Sequence, residues 1–581
     1  MLFFGVNGGQ EMDKIPRITL YLSTFIFTSL LLLGIVWLSG FRNVSALELQ
    51  AENLYYVSPF GDDTKSGSSP NEAWKTIAKV NSMTFTPGDQ ILFERGSVWN
   101  ETLLIASSGT QENPITFGAY GNGEKPTIDG QNTLSQCVAS EDQGDFITID
   151  GLRIINCGDP GLAPSGPEFE EWHGCIVSSE NDGWTIRNSD FENCGQRAIF
   201  ARGDPTGPEA AKDWLIEDNF IGTVSLTGSR GSDQVAILLR GLDQPIVRRN
   251  VISPVNTSAI SCNTGGQMKT GAECSYPDFY DNEVTDAAGC NISAMWTDYA
   301  KMHHNYIHDS RGAGICASYD SDYAEIFYNI IHDLEDYQGT HYNGIDINLD
   351  SDDGMIYNNV VINVAYVNIT VEDMSWDDQS RSSDGWIIRN NILDARGNSP
   401  AEVPIAIYPE CKGIVISNNI YIPNENFWGG GYVGRWHGEY MKFEYNEWQD
   451  ASGDEDSIVV NPILEQIFMD DANHDYHLAP SSPAIDNGYY IIQTLDFEGN
   501  LVPQGNAPEI GAYELPSTNF ESEDINLDGG VDSIDLQLCI NVSLGIEKTP
   551  EIVQRSDMNG DDEVDQDDVQ LIVLRIMGFT Q

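Results

Sequence analysis

Positive charge is scarce in this chain. Its 581 residues carry 29 Lys and Arg against 89 Asp and Glu, a formal net charge of −60. That balance argues against nucleic acid as a partner, because phosphate binding needs clusters of Lys and Arg. Cysteine is also thin. Ten cysteines allow disulfides in an exported protein but are too few for a disulfide scaffold. Amphipathic helical periodicity is missing from the long middle of the chain, so its order must come from short strands. Aromatics are not lacking: 24 Tyr, 22 Phe and 12 Trp separate this chain from acidic disordered sequences. The charge reads as a soluble, calcium-exposed extracellular surface.

The N-terminus agrees. Lys14 and Arg17 precede an apolar run from about Ile18 to Leu38. "NVSALE" follows, with Val44 and Ala46 at the spacing a signal peptidase cuts. Residues 1–46 are expected to be a secretory signal. The alternative is an uncleaved anchor facing outside, since about 20 apolar residues span a bilayer. Met12 offers a second start, opening the charged leader "MDKIPR".

The acidic residues are not evenly spread. "DMNGDDEVDQDD", residues 557–568, packs seven carboxylates into twelve positions. With Asp557 at loop position 1, Asn559, Asp561, Glu563, Asp565 and Asp568 fall at positions 3, 5, 7, 9 and 12. This is the EF-hand calcium spacing. Asp524, Asn526, Asp528, Gly530, Asp532 and Asp535 repeat the register 33 residues earlier. A bound cation relieves the mutual repulsion of such loops. Each is followed by an apolar helix-like stretch, "LQLCINVSLGI" or "VQLIVLRIMGF". No helix leads into the first loop, and position 12 is Asp in both copies. The duplicated unit, about residues 522–581 after a linker at 516–521, resembles a type I dockerin. That resemblance implies calcium as cofactor and a cohesin-bearing scaffold protein as partner. Asp562 stands where Gly normally makes the sharp turn, so the second loop is expected to be the weaker. Positions 10 and 11 also differ between the copies (Ser533 and Ile534 against Gln566 and Asp567), which argues against a symmetric two-way grip on cohesin.

The middle of the chain repeats. Ser189, Asn219, Asn250, Asn282, Asn305, Asn329, Asn359, Asn391 and Asn419 recur at intervals of 23 to 32 residues. Asn at this slot suits a tight turn with left-handed backbone. Before each stands an apolar residue: Ile176, Ile199, Ile237, Ile260, Ile292, Ile315, Ile345, Val367 and Ile405. Alternation around these β-branched residues predicts strands. Short strands at a coil-length period predict a right-handed parallel β-helix in which each coil buries its Ile between neighbours. Cys157 and Cys194 occupy equivalent slots in successive coils and are predicted to form a disulfide.

Other segments carry a family resemblance. "LYYVSPFGDD" with "AWKTIAKV", then "PGDQILFERG", and finally "LAPSSPAIDNG" with "PEIGAYE" resemble the capping, opening and closing segments of secreted β-helix proteins of the pectate-lyase-like superfamily. The resemblance covers residues 53–515. It implies an all-β solenoid with an N-terminal capping helix, acting on polysaccharide.

Substrate in such proteins lies along the outer face of one sheet. Outward positions after each recurrent Ile collect carboxylates at one end: Asp320, Asp350, Glu372 and Glu410 in one column and Asp346 beside it. The expected catalytic group is Asp320, Asp346, Asp350 and Glu372, with Arg311 and His341 in flanking loops. Arg240, Lys269, Trp376, Arg381 and Tyr408 are expected to contact substrate. Two chemistries fit. A lyase on uronate-containing polymers, slightly preferred by analogy of fold, needs a base and a cation to stabilise enolate-like charge. A glycoside hydrolase needs only paired carboxylates. A non-catalytic glycan-binding adhesin is the third reading. The charge of the chain opposes a polyanionic substrate unless calcium bridges it. His303, His304 and His308 of "HHNYIHD" are expected to stack or be solvated, because adjacent strand residues face opposite ways.

Overall fold

The computed structural model describes residues 53–141, 143–158, 173–204, 210–224, 235–253, 258–264, 273–335, 343–373, 381–396, 403–423, 432–437, 439–442, 445–460, 466–491, 493–515 and, in the tail, 525, 533–544, 552, 556, 564, 569, 572 and 573. The expected signal or anchor lies outside them. So do Lys269, His341 and Trp376, and every expected calcium ligand except Asp535.

Strands of two to six residues stack into three 13-stranded sheets. Sheet I runs from Leu54–Val57 to Val415–Ser417, sheet II from Leu103–Leu104 to Glu439–Lys442, and sheet III from Val98–Trp99 to Ile458–Val459. The chain visits II, I and III in turn and pairs in parallel with its own previous coil. Only the last pair of sheet II is antiparallel among the described pairs of these sheets. This is a parallel β-helix. Helix α1 (Ile77–Asn81) closes the N-terminal end, burying Ile77 and Val80, with Thr76 accepting the Lys79 N–H as its cap.

The apolar stripe is present. Ile176, Ile199, Ile237, Ile260, Ile292, Ile315 and Ile345 stack in register along sheet II, and all are fully buried. Burial of each such side chain is worth about 1.5–3 kcal/mol. The next rung corrects the sequence reading. Ile369, not Val367, pairs with both Ile345 and Ile405. Val367 packs in a small cluster with Val403 and Ala406 instead. Both residues are apolar and two positions apart, so periodicity alone could not choose between them.

The recurrent Asn builds a ladder inside one corner. Asn305 is typical: its Oδ1 accepts from Asn282 N and Nδ2, each at 3.1 Å, and its Nδ2 donates to Phe279 O at 2.9 Å and Asn329 Oδ1 at 3.1 Å. The same pattern links Asn219, Asn250, Asn282, Asn329, Asn359, Asn391 and Asn419. The left-handed backbone expected at Asn belongs to the residue before it, for example Asp281 at φ +55°, His304 at +54° and Asn358 at +53°. Asn is therefore required for its amide rather than for its backbone. A second, acidic ladder marks another corner. Asp298, Asp322, Asp352 and Asp384 each accept the backbone N–H of the matching residue one coil on, at 2.7–3.3 Å. Part of the negative charge is thus structural.

Cysteine pairing also departs from expectation. Cys157 bonds Cys137 and Cys194 bonds Cys175, with Cα separations of 5.8 and 5.7 Å. Cys157 and Cys194 do occupy equivalent slots, since Gly195 N donates to Cys157 O at 2.7 Å. Each nevertheless finds a partner at the start of a sheet II strand. Cys262–Cys274 and Cys290–Cys316 are two further bridges.

Residues 466–515 return along the outside of sheets I and III. Ile510, Ala512, Phe468 and Tyr476 cover Phe327, Tyr357, Ile362 and Ile392. Asn358 Nδ2 donates to the carbonyls of Glu509 at 3.1 Å and Gly511 at 2.9 Å. Gly511 has φ +104°, and a Cβ there would stand 2.6 Å from Ile392 Cδ1, so only glycine fits this approach.

In the tail, helix α2 (Ser533–Ser543) follows the first acidic loop. Ile525, Cys539 and Ile572 are buried together, with Val564 and Val569 packed against them. The two halves of the duplicated unit therefore share a core. Asp535 is fully buried and accepts the Ile525 N–H at 2.8 Å, so loop position 12 folds back onto position 2.

Candidate active site

The outer face of sheet II changes character at its C-terminal end. Asp346 in strand Ile345–Asn348 stands opposite Thr370, which stands opposite Ala406 and then Arg435. One step along each strand, Glu372 N donates to Ile347 O at 2.8 Å and Tyr408 N to Val371 O at 2.9 Å. The register shift from Val367 to Ile369 thereby moves Glu372 next to Asn348, and one rung plus two residues from Asp346. Diagonal neighbours of this kind have Cα atoms about 7–8 Å apart.

Their surroundings set the two carboxyls apart. Asp346 accepts from Asn348 Nδ2 at 3.2 Å. Burial pushes its pKa up to about 6, while hydrogen bonds from Asn348 and Asn343 favour the anion. Glu372 rises further, to about 8, through burial first and then the charge of Asp346. The Thr370 hydroxyl, 3.3 Å from Glu372 Oε1, and the Arg435 charge oppose that rise. Burial thus holds both carboxyls above the ordinary carboxylate range, and their mutual repulsion keeps a proton on the pair toward neutral pH. Arg435 lies 4.7 Å from the centre of the Tyr408 ring. Burial and the nearby Glu372 push the Tyr408 phenol up to about 12, which makes it a poor base at neutral pH.

Other expected site residues are elsewhere. The strands end at Ser318 and Asn348. Asp320 and Asp350 follow with φ +61° and +60°, in turns rather than on the sheet face. The fifth outward column is therefore not a column of strand residues. Arg381 approaches Asp350, Nη1 to Oδ2 3.8 Å, and belongs to that turn. Arg311 pairs with Asp286 at 2.7 Å on the neighbouring coil, a corner ion pair. Arg240 is buried within 5.7 Å of the Phe200 ring. Arg240, Asn263, Met295, Ser318 and Asn348 follow one another in register, so Arg240 lies about 19 Å from the carboxyl pair at one strand spacing per rung. Glu410 is exposed and its N–H bonds Asp373. Asn343 and Arg435 were not anticipated. Asn348 and Thr370 were expected on the outward face but not as partners of the carboxyls.

The histidines were only partly anticipated. His303 stacks between Tyr280 and Phe327, with centroids 5.0 and 4.5 Å away. His304, being left-handed, does not face the opposite way: its Nδ1 lies 2.7 Å from His303 Nδ1.

A hollow of about 890 Å³ lies in the N-terminal half of the solenoid. Asp145, Glu180, Asp182, Asp204, Asp243 and Glu273 line it with Lys212 as the one cation among the described lining residues. Its field repels polyanions.

Fold and site together define a parallel β-helix carrying two neighbouring carboxyls with raised pKa values on one sheet face. Residues 522–577 match the type I dockerin domain. Among curated proteins, the chain is 42% identical over 91 residues to a lacto-N-biosidase of Bifidobacterium longum subsp. longum; this spans 14% of the chain and 6% of that protein. Solved structures similar to the chain include the following two. A GH136 lacto-N-biosidase from Eubacterium ramulus is 17% identical, covers 70% of this chain and 68% of its own, and has a TM-score of 0.37. The PL6 family alginate lyase AlyGC is 13% identical, covers 68% and 56%, and has a TM-score of 0.40.

Proposed function

We propose that this chain is an extracellular glycoside hydrolase on a β-helix scaffold, tethered by its calcium-loaded dockerin to a cohesin-bearing scaffold protein. The observation that carries the catalytic reading is the Asp346–Glu372 pair, two carboxyls on neighbouring rungs that burial pushes above the ordinary carboxylate range. Such a pair loses its protons in two separated steps, so one member can be acid while the other is base. Glu372 holds a proton for the departing glycosidic oxygen. Asp346, ionised and oriented by Asn348, acts on the anomeric carbon directly or through water. Arg435 keeps the Glu372 anion reachable, so that it can accept the proton back.

The lyase favoured by analogy of fold is the weaker reading. It needs a base beside a cation that holds a uronate carboxylate. Arg435 is such a cation, but Tyr408, the group beneath it, holds its proton too tightly. The acidic hollow and the net charge of −60 also disfavour uronate polymers. The short stretch of 42% identity is to a hydrolase. A neutral saccharide is therefore the proposed substrate class.

The test is a panel of neutral and uronate glycans with two product assays. New reducing ends without ultraviolet-absorbing unsaturated products, lost in Glu372→Gln and Asp346→Asn, support hydrolysis. Unsaturated products from a uronate polymer overturn it, and glycan binding with neither product returns the adhesin reading.

A further inference from the structure

Where the closing segment meets sheet III, two histidines and an aspartate converge. His332 is fully buried in strand Ile330–Leu334. Asp333 follows it with φ +52°. In a regular strand these neighbours would face opposite ways; the left-handed turn brings them to one side, His332 Nδ1 to Asp333 Oδ2 2.8 Å. His474, at φ +61° just after the short 3-10 turn Asp471–Asn473, reaches in from the closing segment, Nε2 to Asp333 Oδ2 3.2 Å. All three donor atoms lie within 4.8 Å of one another.

These separations are those of ligands around one small cation. Bonds of about 2.0–2.1 Å to a tetrahedral zinc place neighbouring ligand atoms about 3.3 Å apart. The atoms behind the donors are also held. His332 Nε2 is 2.9 Å from the Tyr306 hydroxyl, and Asp333 Oδ1 accepts from Asn363 Nδ2. Such outer contacts fix the orientation of metal-binding imidazoles and carboxylates. On the open side, His474 and Tyr306 help line a cavity of about 410 Å³, with room for water as a fourth ligand. Two imidazoles and one carboxylate select a borderline divalent ion, whereas the all-oxygen loops of the tail select calcium.

We propose that His332, Asp333 and His474 bind one zinc-class divalent ion that pins the closing segment to the solenoid. The ion joins residues 141 positions apart (333 to 474), stabilising only the folded arrangement in which both are present. The site is on sheet III, whereas Asp346 is on sheet II, and it does not depend on the proposed hydrolysis.

Zinc chloride titrated into the full chain, with excess calcium to saturate the dockerin loops, tests this by calorimetry and metal analysis. One zinc per chain is expected, with a rise in the thermal midpoint. His474→Ala, at an exposed position, and Asp333→Asn, which keeps side-chain shape, should each lose that ion and the rise. Asn363→Ala should weaken binding about 10–100-fold. Cobalt in place of zinc should give the visible absorption of a tetrahedral ion. No zinc bound by the unmodified chain, or equal binding by His474→Ala and Asp333→Asn, overturns the proposal.

Discussion

The asparagine corner and the outer face of sheet II belong to the same coils, yet they obey different rules. At the corner, one residue type recurs because each amide must meet the same groups above and below. On the face, Arg240, Asn263, Met295, Ser318 and Asn348 follow one another in register with no common chemistry. Repetition marks what holds the stack together. Its absence marks where substrate can be selected. Within the face Asp346 and Glu372 differ again, because there two carboxyls on neighbouring rungs raise one another's proton affinity.

Five experiments would break or sharpen that contrast. Glu372→Gln should lower turnover by about 10²–10⁴-fold, the usual worth of a general acid, without unfolding the protein. Its folded-state pKa is raised, so the fold binds that proton more tightly than the unfolded chain. Stability drawn from it is present at low pH and lost as pH climbs from about 4.5 toward about 8; Glu372→Gln should therefore flatten the decline of the thermal midpoint across that window. Asn305→Ala should do the opposite, removing about 2–3 kcal/mol of stability by leaving buried backbone groups unpaired. Turnover per folded molecule should stay unchanged. Denaturant unfolding alongside kinetics separates the two outcomes.

The pH profile of turnover should be bell-shaped, rising as the Asp346–Glu372 pair loses its first proton near 6 and falling as it loses its second near 8. Arg435→Met removes a charge that favours the Glu372 anion. The alkaline limb should then move upward while the acid limb moves less. The smallest effect is expected at Arg311→Gln. Its bond to Asp286 is partly exposed and worth about 0.2–1 kcal/mol, and turnover should not change. A large loss of turnover there would restore Arg311 to the site.

Legibility followed repetition. The Ile stripe and the Asn ladder could be read because stacking copies the same demand into every coil. Reading failed where the repeat is interrupted. At Val367 and Ile369, two apolar residues offered the same pattern, and only hydrogen-bond register separates them. That slip of two positions placed Glu372 beside Asp350 instead of beside Asp346. Asp320 and Asp350 were read as strand residues because composition does not show where a strand yields to a left-handed turn. Tyr408, expected to contact substrate, lies near Glu372. Arg435 was not anticipated, because its rung follows a stretch without the Asn signal. Cys157 and Cys194 were rightly equated but wrongly paired, since equivalence in a repeat says nothing of which thiol faces which.

The amino-acid sequence by itself determined the solenoid, its approximate coil boundaries and the paired acidic loops of the tail, because local spacing and periodic burial are written in linear order. Only the tertiary structure decided which carboxyls become neighbours, which cysteines meet, and that residues 466–515 cover the aromatic outer face. Those outcomes depend on contacts between coils and across more than a hundred residues, where a shift of one or two positions leaves composition unchanged but moves every charge to a different partner.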